Sequence, residues 1–172
     1  RRLKEQFLQL QEARRRTEAG QVIRRAFVTS IQQKLRPSIN LLRGYARAFN
    51  NPDFRLKPED RPKRYTDILD AARNIESLID PVLDTYARGT KGISDEEKQI
   101  CMTALRAPLF TLISTSEVII DGKGEIPSDE YMQLRASVCR DAYHVSVSTH
   151  QLILFSLYGD DFPTPKPDRV GD

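Results

Sequence analysis

The sequence has no tryptophan and only two cysteines, two methionines and two histidines in 172 residues. The two cysteines, Cys101 and Cys139, are too few for a disulfide framework or a cysteine-based metal cluster. Eight glycines against ten prolines exclude collagen-like and glycine-rich disordered chains. No apolar run reaches the roughly 18 residues that a spanning helix needs, so no membrane helix is expected, and no secretory signal is visible. Asp160, Asp161 and Asp168 lie in a proline-rich stretch, where spaced carboxylates are solvated rather than metal-binding. No metal and no cofactor is expected. The chain starts at Arg1 rather than methionine and reads as a fragment of a longer protein.

The net charge of +3 conceals an asymmetry. Residues 1–64 hold 17 basic and 6 acidic residues, a local charge of +11, and the rest of the chain carries −8. Arg14-Arg15-Arg16 and Arg24-Arg25 are the densest basic tracts. Such tracts fit a solvated helix face, a cytoplasmic flank beside a membrane, or a nucleic-acid surface. The basic residues are not interleaved with stacking aromatics and no DNA-binding fingerprint occurs, so nucleic acid is not an expected partner.

Apolar residues recur at three- and four-residue steps along almost the whole chain, which predicts an all-α protein. The first stripe is Leu3, Phe7 and Leu10, then a polar gap, then Ile23, Phe27, Ile31, Leu35, Ile39, Leu42 and Ala46. It predicts one helix over 3–49, too long for a globular helix, whose start projects as a coiled-coil-like signalling helix. Residues 50–61, with Pro52 and Pro58, read as a loop. A second helix starts near Pro62 and carries Tyr65, Ile68, Leu69, Ala72, Ile75, Leu78, Ile79, Val82, Leu83 and Tyr86, with Gly89 and Gly92 as stops. Ser94 and Glu97 form a capping box before a third helix with Ile100, Ala104, Leu105, Leu109, Leu112, Ile113 and Ile119. The segment 121–124 is a turn. Ser128 caps a fourth helix lined by Tyr131, Leu134, Val138, Ala142, Val145, Leu152 and Phe155. Pro37, Pro81 and Pro108 fall inside helices and should bend them. The stretch 159–172 reads as a flexible tail.

The pattern repeats at an offset of 70 residues. Leu35-Arg36-Pro37-Ser38-Ile39 aligns with Leu105-Arg106-Ala107-Pro108-Leu109, Ile31 with Cys101 and Leu42 with Leu112. A single hairpin cannot bury its stripe, but two can, as an antiparallel four-helix bundle. The expected organisation is 1–22 signalling helix, 23–92 first hairpin, 93–158 second hairpin and 159–172 tail.

The run F-V-T-S-I-Q-Q-K-L-R-P-S-I-N-L-L-R-G-Y from Phe27 resembles the dimerisation and histidine-phosphotransfer domain of bacterial sensor histidine kinases. That family carries a phenylalanine followed by I-S-H-E-L-R-T-P-L-N-x-I-x-G-Y. Phe27, Ile31, Leu35, Arg36, Ile39, Asn40, Leu42, Gly44 and Tyr45 fall in register. Tyr65, Ile68, Leu69, Leu83, Tyr86 and Arg88 match the family's second helix. The resemblance covers residues 23–92 well and 98–157 more faintly. It implies two hairpins of one chain forming a pseudo-dimer, self-association through the N-terminal helix, and a response regulator or downstream output domain as partner. It also implies a place on the cytoplasmic side of a bacterial inner-membrane sensor.

The departures bear on chemistry. The family's phosphoacceptor histidine falls on Gln33 and, in the second hairpin, on Thr103; its neighbouring acid falls on Lys34 and Ala104. A carboxamide is not nucleophilic, and an isolated threonine lacks an activating base. The proline stands one place early, at Pro37. No nucleotide-binding set like the family's is present. The expectation is therefore a degenerate, non-catalytic signal-transduction module, with Arg36 and Arg106 as candidate phosphate-facing residues. An active phosphotransfer domain using His144 or His150 and a structural helical adaptor are the alternatives. Neither histidine shows in sequence the acid-and-arginine setting that phosphotransfer needs.

Overall fold

Three interior prolines fail to break any helix. In the computed structural model α1 runs Arg2–Asn50 through Pro37, α2 Arg61–Gly89 through Pro81 and α3 Asp95–Asp121 through Pro108; α4 runs Ser128–Tyr158. The structure describes residues 2–89 and 95–158, with side chains except at 82–89, 95, 97, 98, 101, 102 and 155–158. Expectations for Gly92, the Ser94 cap and the 159–172 tail, and for the side chains of Cys101, Tyr86, Arg88 and Phe155, lie outside those residues. Beside Pro37, Asn74 of α2 donates to the Lys34 carbonyl at 3.2 Å and to the Ser38 hydroxyl at 2.8 Å, so α2 braces that turn of α1.

Helices α1 and α3 each border α2 and α4, and α2 also meets α4 across the middle. Neighbours are antiparallel. Phe49 stacks on Tyr65 while Ser38 meets Asn74, and Cys139 reaches Ala46 while Arg135 reaches Phe49. The fold is thus an all-α, antiparallel four-helix bundle with no strand among the described residues.

The apolar stripes supply the core, with instructive exceptions. Leu35, Ile39, Leu42, Ala46 and Phe49 of α1 are buried, and so are Leu105, Leu109, Leu112, Ser116 and Ile119 at the offset of 70 in α3. Leu3, Phe7, Leu10, Ile23, Phe27 and Ile100 are exposed, as is Ala104, although all lie on the expected stripes. For α1 the reason is length: it outruns its neighbours, its expected projecting start included, and its residues 2–27 are exposed apart from half-buried Arg24. Pairs such as Arg14–Glu18 and Arg16–Glu12 support that projecting arm from within. Conversely, Arg135, Asp141, Thr115, Ser146 and Thr149 are buried polar residues that the stripes did not announce.

Loop details refine the reading. The 50–61 connection contains a 3-10 turn, Pro58–Asp60, rather than plain loop. Ser128 is the first helical residue of α4, and the Tyr131 N–H bonds to the Pro127 carbonyl at 2.9 Å. The cap position therefore falls on Pro127, whose missing N–H and fixed φ suit a helix boundary. The segment Thr103–Asp121 reaches a mean hydropathy of 1.2, enough to cross a membrane by length and composition alone. In the bundle its Leu105, Leu109, Leu112 and Ile119 are buried, and Arg106 and Glu117 pair with α2.

The 121–124 turn is confirmed. Lys123 and Gly124 have φ of 50° and 83°. A Cβ on Gly124 would sit 2.6 Å from the Pro58 carbonyl oxygen, so the turn docks on the 3-10 segment through a site only glycine fits. Gly124→Ala should lower unfolding stability by about 1–3 kcal/mol, and Lys123→Gly should be neutral or slightly stabilising. Urea denaturation checks both; an unchanged Gly124→Ala midpoint would refute the close approach.

Candidate functional site

The residues that the resemblance aligns with the family's acceptor and its neighbouring acid lie on the surface. Gln33 and Lys34 of α1 and Thr103 and Ala104 of α3 are exposed. Because α1 and α3 occupy opposite corners, the bundle does not bring Gln33 and Thr103 together. Nor does it unite Arg36 with Arg106. Arg36 is exposed, whereas Arg106 donates to Asp80 of α2 at 2.6 Å. Arg106 is thus held in an ion pair that joins the two hairpins. Arg73 with Glu117, at 2.6 Å, makes a second such link between α2 and α3. Both pairs are half-exposed, so each adds only tenths of a kcal/mol up to roughly 1 kcal/mol.

The two histidines face different surroundings. They stand six positions apart, which turns His150 about 120° around α4 from His144. His150 is half-buried. His144 is exposed, its ring packed edge-on to Tyr143 with centroids 5.7 Å apart. It shares one side of α4 with Arg140 and Asp141, one turn earlier. So His144 does have an acid and an arginine beside it, contrary to the sequence expectation. The signal was present in the i−3 and i−4 spacing, but nothing in the sequence said which of the helix's charges cluster around the ring. Burial pushes the Asp141 carboxyl up, while Arg140, Ser137 and His144 pull it back down. Arg140 lies 3.6 Å from that carboxylate.

His144 opens onto a groove of about 750 Å³ between α1 and α4. Arg43 and Arg47 of α1 face Arg140 and His144 of α4 across a floor of Ala46, Ala136 and Cys139. The Cys139 thiol donates to the Ala46 carbonyl at 3.3 Å, and burial raises its pKa, with Arg135 opposing. A thiol so held is a packing group rather than a nucleophile. Among the described residues no group of three or more potential ligands is placed to hold a metal ion.

At the end of this groove the chain builds a cluster that sequence reasoning missed. Arg135, only 4% exposed, donates to the carbonyls of Phe54 at 3.0 Å and Phe49 at 3.1 Å, with Asn51 at 3.4 Å. Its guanidinium also lies 5.2 Å from the Phe49 ring centre. Next to it the Tyr65 and Tyr131 hydroxyls meet at 3.1 Å across the middle of the bundle, and Arg61 covers the Tyr131 ring at 3.6 Å. Burial, then the bond to Tyr131, keeps Tyr65 in its phenol form far beyond the usual range.

Comparison of the chain with family models, with curated proteins and with solved structures finds no match.

Proposed function

We propose that the chain is a degenerate histidine-kinase-like dimerisation and signal-transduction module that relays helix movement without carrying a phosphoryl group on the usual residue. The observation that carries this reading is the paired register of α1 and α3. Five buried positions coincide at an offset of 70, and the two acceptor positions, Gln33 and Thr103, are both exposed and both lack an imidazole. One chain thereby supplies both hairpins of a pseudo-dimer. A shift of the entering helix would pass into a bundle whose seams are partly polar, with Pro37, Pro81 and Pro108 as bending points. The output is the docking of a response regulator or the position of a downstream domain. The basic stretch around Arg14-Arg15-Arg16 suits the cytoplasmic flank of a membrane sensor.

The projecting arm of α1 supports self-association through a second copy. An exposed helix with Leu3, Phe7 and Leu10 uncovered at 60–83% gains little from its own residues and much from a partner. Because His144 sits beside Arg140 and Asp141 in a basic groove, phosphotransfer through His144 is the second reading.

One preparation tests these readings. Incubated with acetyl phosphate or a phosphodonor kinase, the chain should take up no acid-labile label. By sedimentation it should be a dimer that Phe7→Asp with Leu10→Asp dissociates. Label that disappears in His144→Ala and survives in His150→Ala establishes the second reading instead. A monomer without label leaves a structural helical adaptor.

A further inference from the structure

We propose that the α1–α4 seam binds a di- or triphosphate group. Two antiparallel seams of the bundle join one hairpin to the other, and their charges differ. In the α2–α3 seam two arginines among the described residues have an acid: Arg73 meets Glu117 and Arg106 meets Asp80, both at 2.6 Å. Glu76 lies in the same groove. In the α1–α4 seam the position equivalent to Glu117, 70 residues earlier, is Arg47. No carboxylate lines that groove, and Arg43 and Arg47 have no ion-pair partner among the described residues. Only Arg140 has an acid nearby, Asp141, which is buried and 3.6 Å away. The seam thus holds three guanidiniums and an imidazole over a small-residue floor, with Asp141 beside Arg140 and with Arg43 and Arg47 uncompensated.

The size of the cationic patch identifies the ligand class. Arg43 and Arg47 are one turn, about 6 Å, apart along α1, as are Arg140 and His144 along α4. That matches a short phosphate chain gripped from both helices, and is too short a track for a partner helix bearing a row of acids. Planar guanidiniums match phosphate oxygens two at a time. Tyr143, 55% exposed at the rim, offers a ring against which a nucleoside base can stack. This binding is non-covalent and independent of the signalling reading, so either can fail alone.

Titration calorimetry of the whole chain with inorganic triphosphate, and separately with ATP, tests the proposal. One saturable site is expected. Arg47→Glu and Arg140→Glu should each weaken it roughly tenfold or more, while Lys63→Glu, an exposed α2 position outside the groove, should not. If Arg140→Glu does not fold, Arg43→Gln and Arg47→Gln carry the test. Tighter ATP binding that Tyr143→Ala removes assigns a nucleotide; equal affinities assign the phosphate chain alone. Both support the site. The proposal is overturned if sulfate at matched ionic strength binds as well, if Lys63→Glu weakens binding as much as Arg47→Glu, or if only a phosphorylated peptide occupies the seam.

Discussion

Arg135→Met should lower unfolding stability by about 3–5 kcal/mol, the largest loss expected from any single surface-type residue in this chain. An arginine is almost never fully buried without a carboxylate, yet Arg135 is 4% exposed and its polar contacts are backbone carbonyls. The arrangement works because α1 ends there. The last turn of a helix presents carbonyls without intrahelical partners and the negative end of the helix dipole. Phe49 lies in that last turn, and Phe54 follows in the loop. The Asn51 carbonyl already accepts the Phe54 N–H at 3.1 Å, so its 3.4 Å contact with Arg135 adds little. Methionine keeps most of the apolar stem but leaves the buried Phe49 carbonyl and the half-buried Phe54 carbonyl without their donor. Each orphaned acceptor costs about 1–3 kcal/mol, and the lost contact with the Phe49 ring adds about 0.5–2 kcal/mol. Arg135→Lys should fall between, since an ammonium retains charge but cannot fork between two carbonyls. Urea denaturation at neutral pH measures all three proteins. A loss below about 1 kcal/mol for methionine would mean that water replaces the guanidinium and the cap is dispensable.

Leu42→Ala and Leu112→Ala should each cost about 2–5 kcal/mol. Both leucines are fully buried and stand at equivalent places of α1 and α3, 70 residues apart. Truncation at either leaves a cavity whose cost depends on how far the surroundings collapse. If the hairpins are equivalent halves of one core, the two losses agree within about 1 kcal/mol and both variants unfold in a single transition. Phe110→Ala, at a position 74% exposed on α3, serves as control and should change stability by no more than about 0.5 kcal/mol. Denaturant curves read by circular dichroism decide the matter. Two separate transitions, or a large loss at only one leucine, would show that the hairpins are independent units and would remove the support that their matched register lends to the signalling proposal.

Much of the fold was legible because helix bonds are local. The four helices, the 121–124 turn and a core running through Leu35, Ile39 and Leu42 follow from apolar spacing and turn residues. The misses share one cause. Ile23 and Phe27 lie on the stripe expected in the first hairpin, but a stripe says only that a face is apolar, not whether another helix is long enough to cover it. Arg135 read as solvated because its acceptors are carbonyls more than 80 residues away in sequence. The candidate site was legible in part. The surface place of Gln33, off the apolar stripe, followed from spacing, whereas the meeting of Arg140 and His144 with Arg43 and Arg47 across the groove did not.

What the sequence by itself determined is therefore the helical period and the lengths of the helices, since each depends on residues within a few turns of one another. Which seam is compensated and which is not was decided only by the tertiary structure. Arg106 finds Asp80, Arg73 finds Glu117, and Arg47 finds Arg140 because of which helices became neighbours. A guanidinium's partner across a seam is a matter of packing geometry, and no spacing along a single helix encodes it.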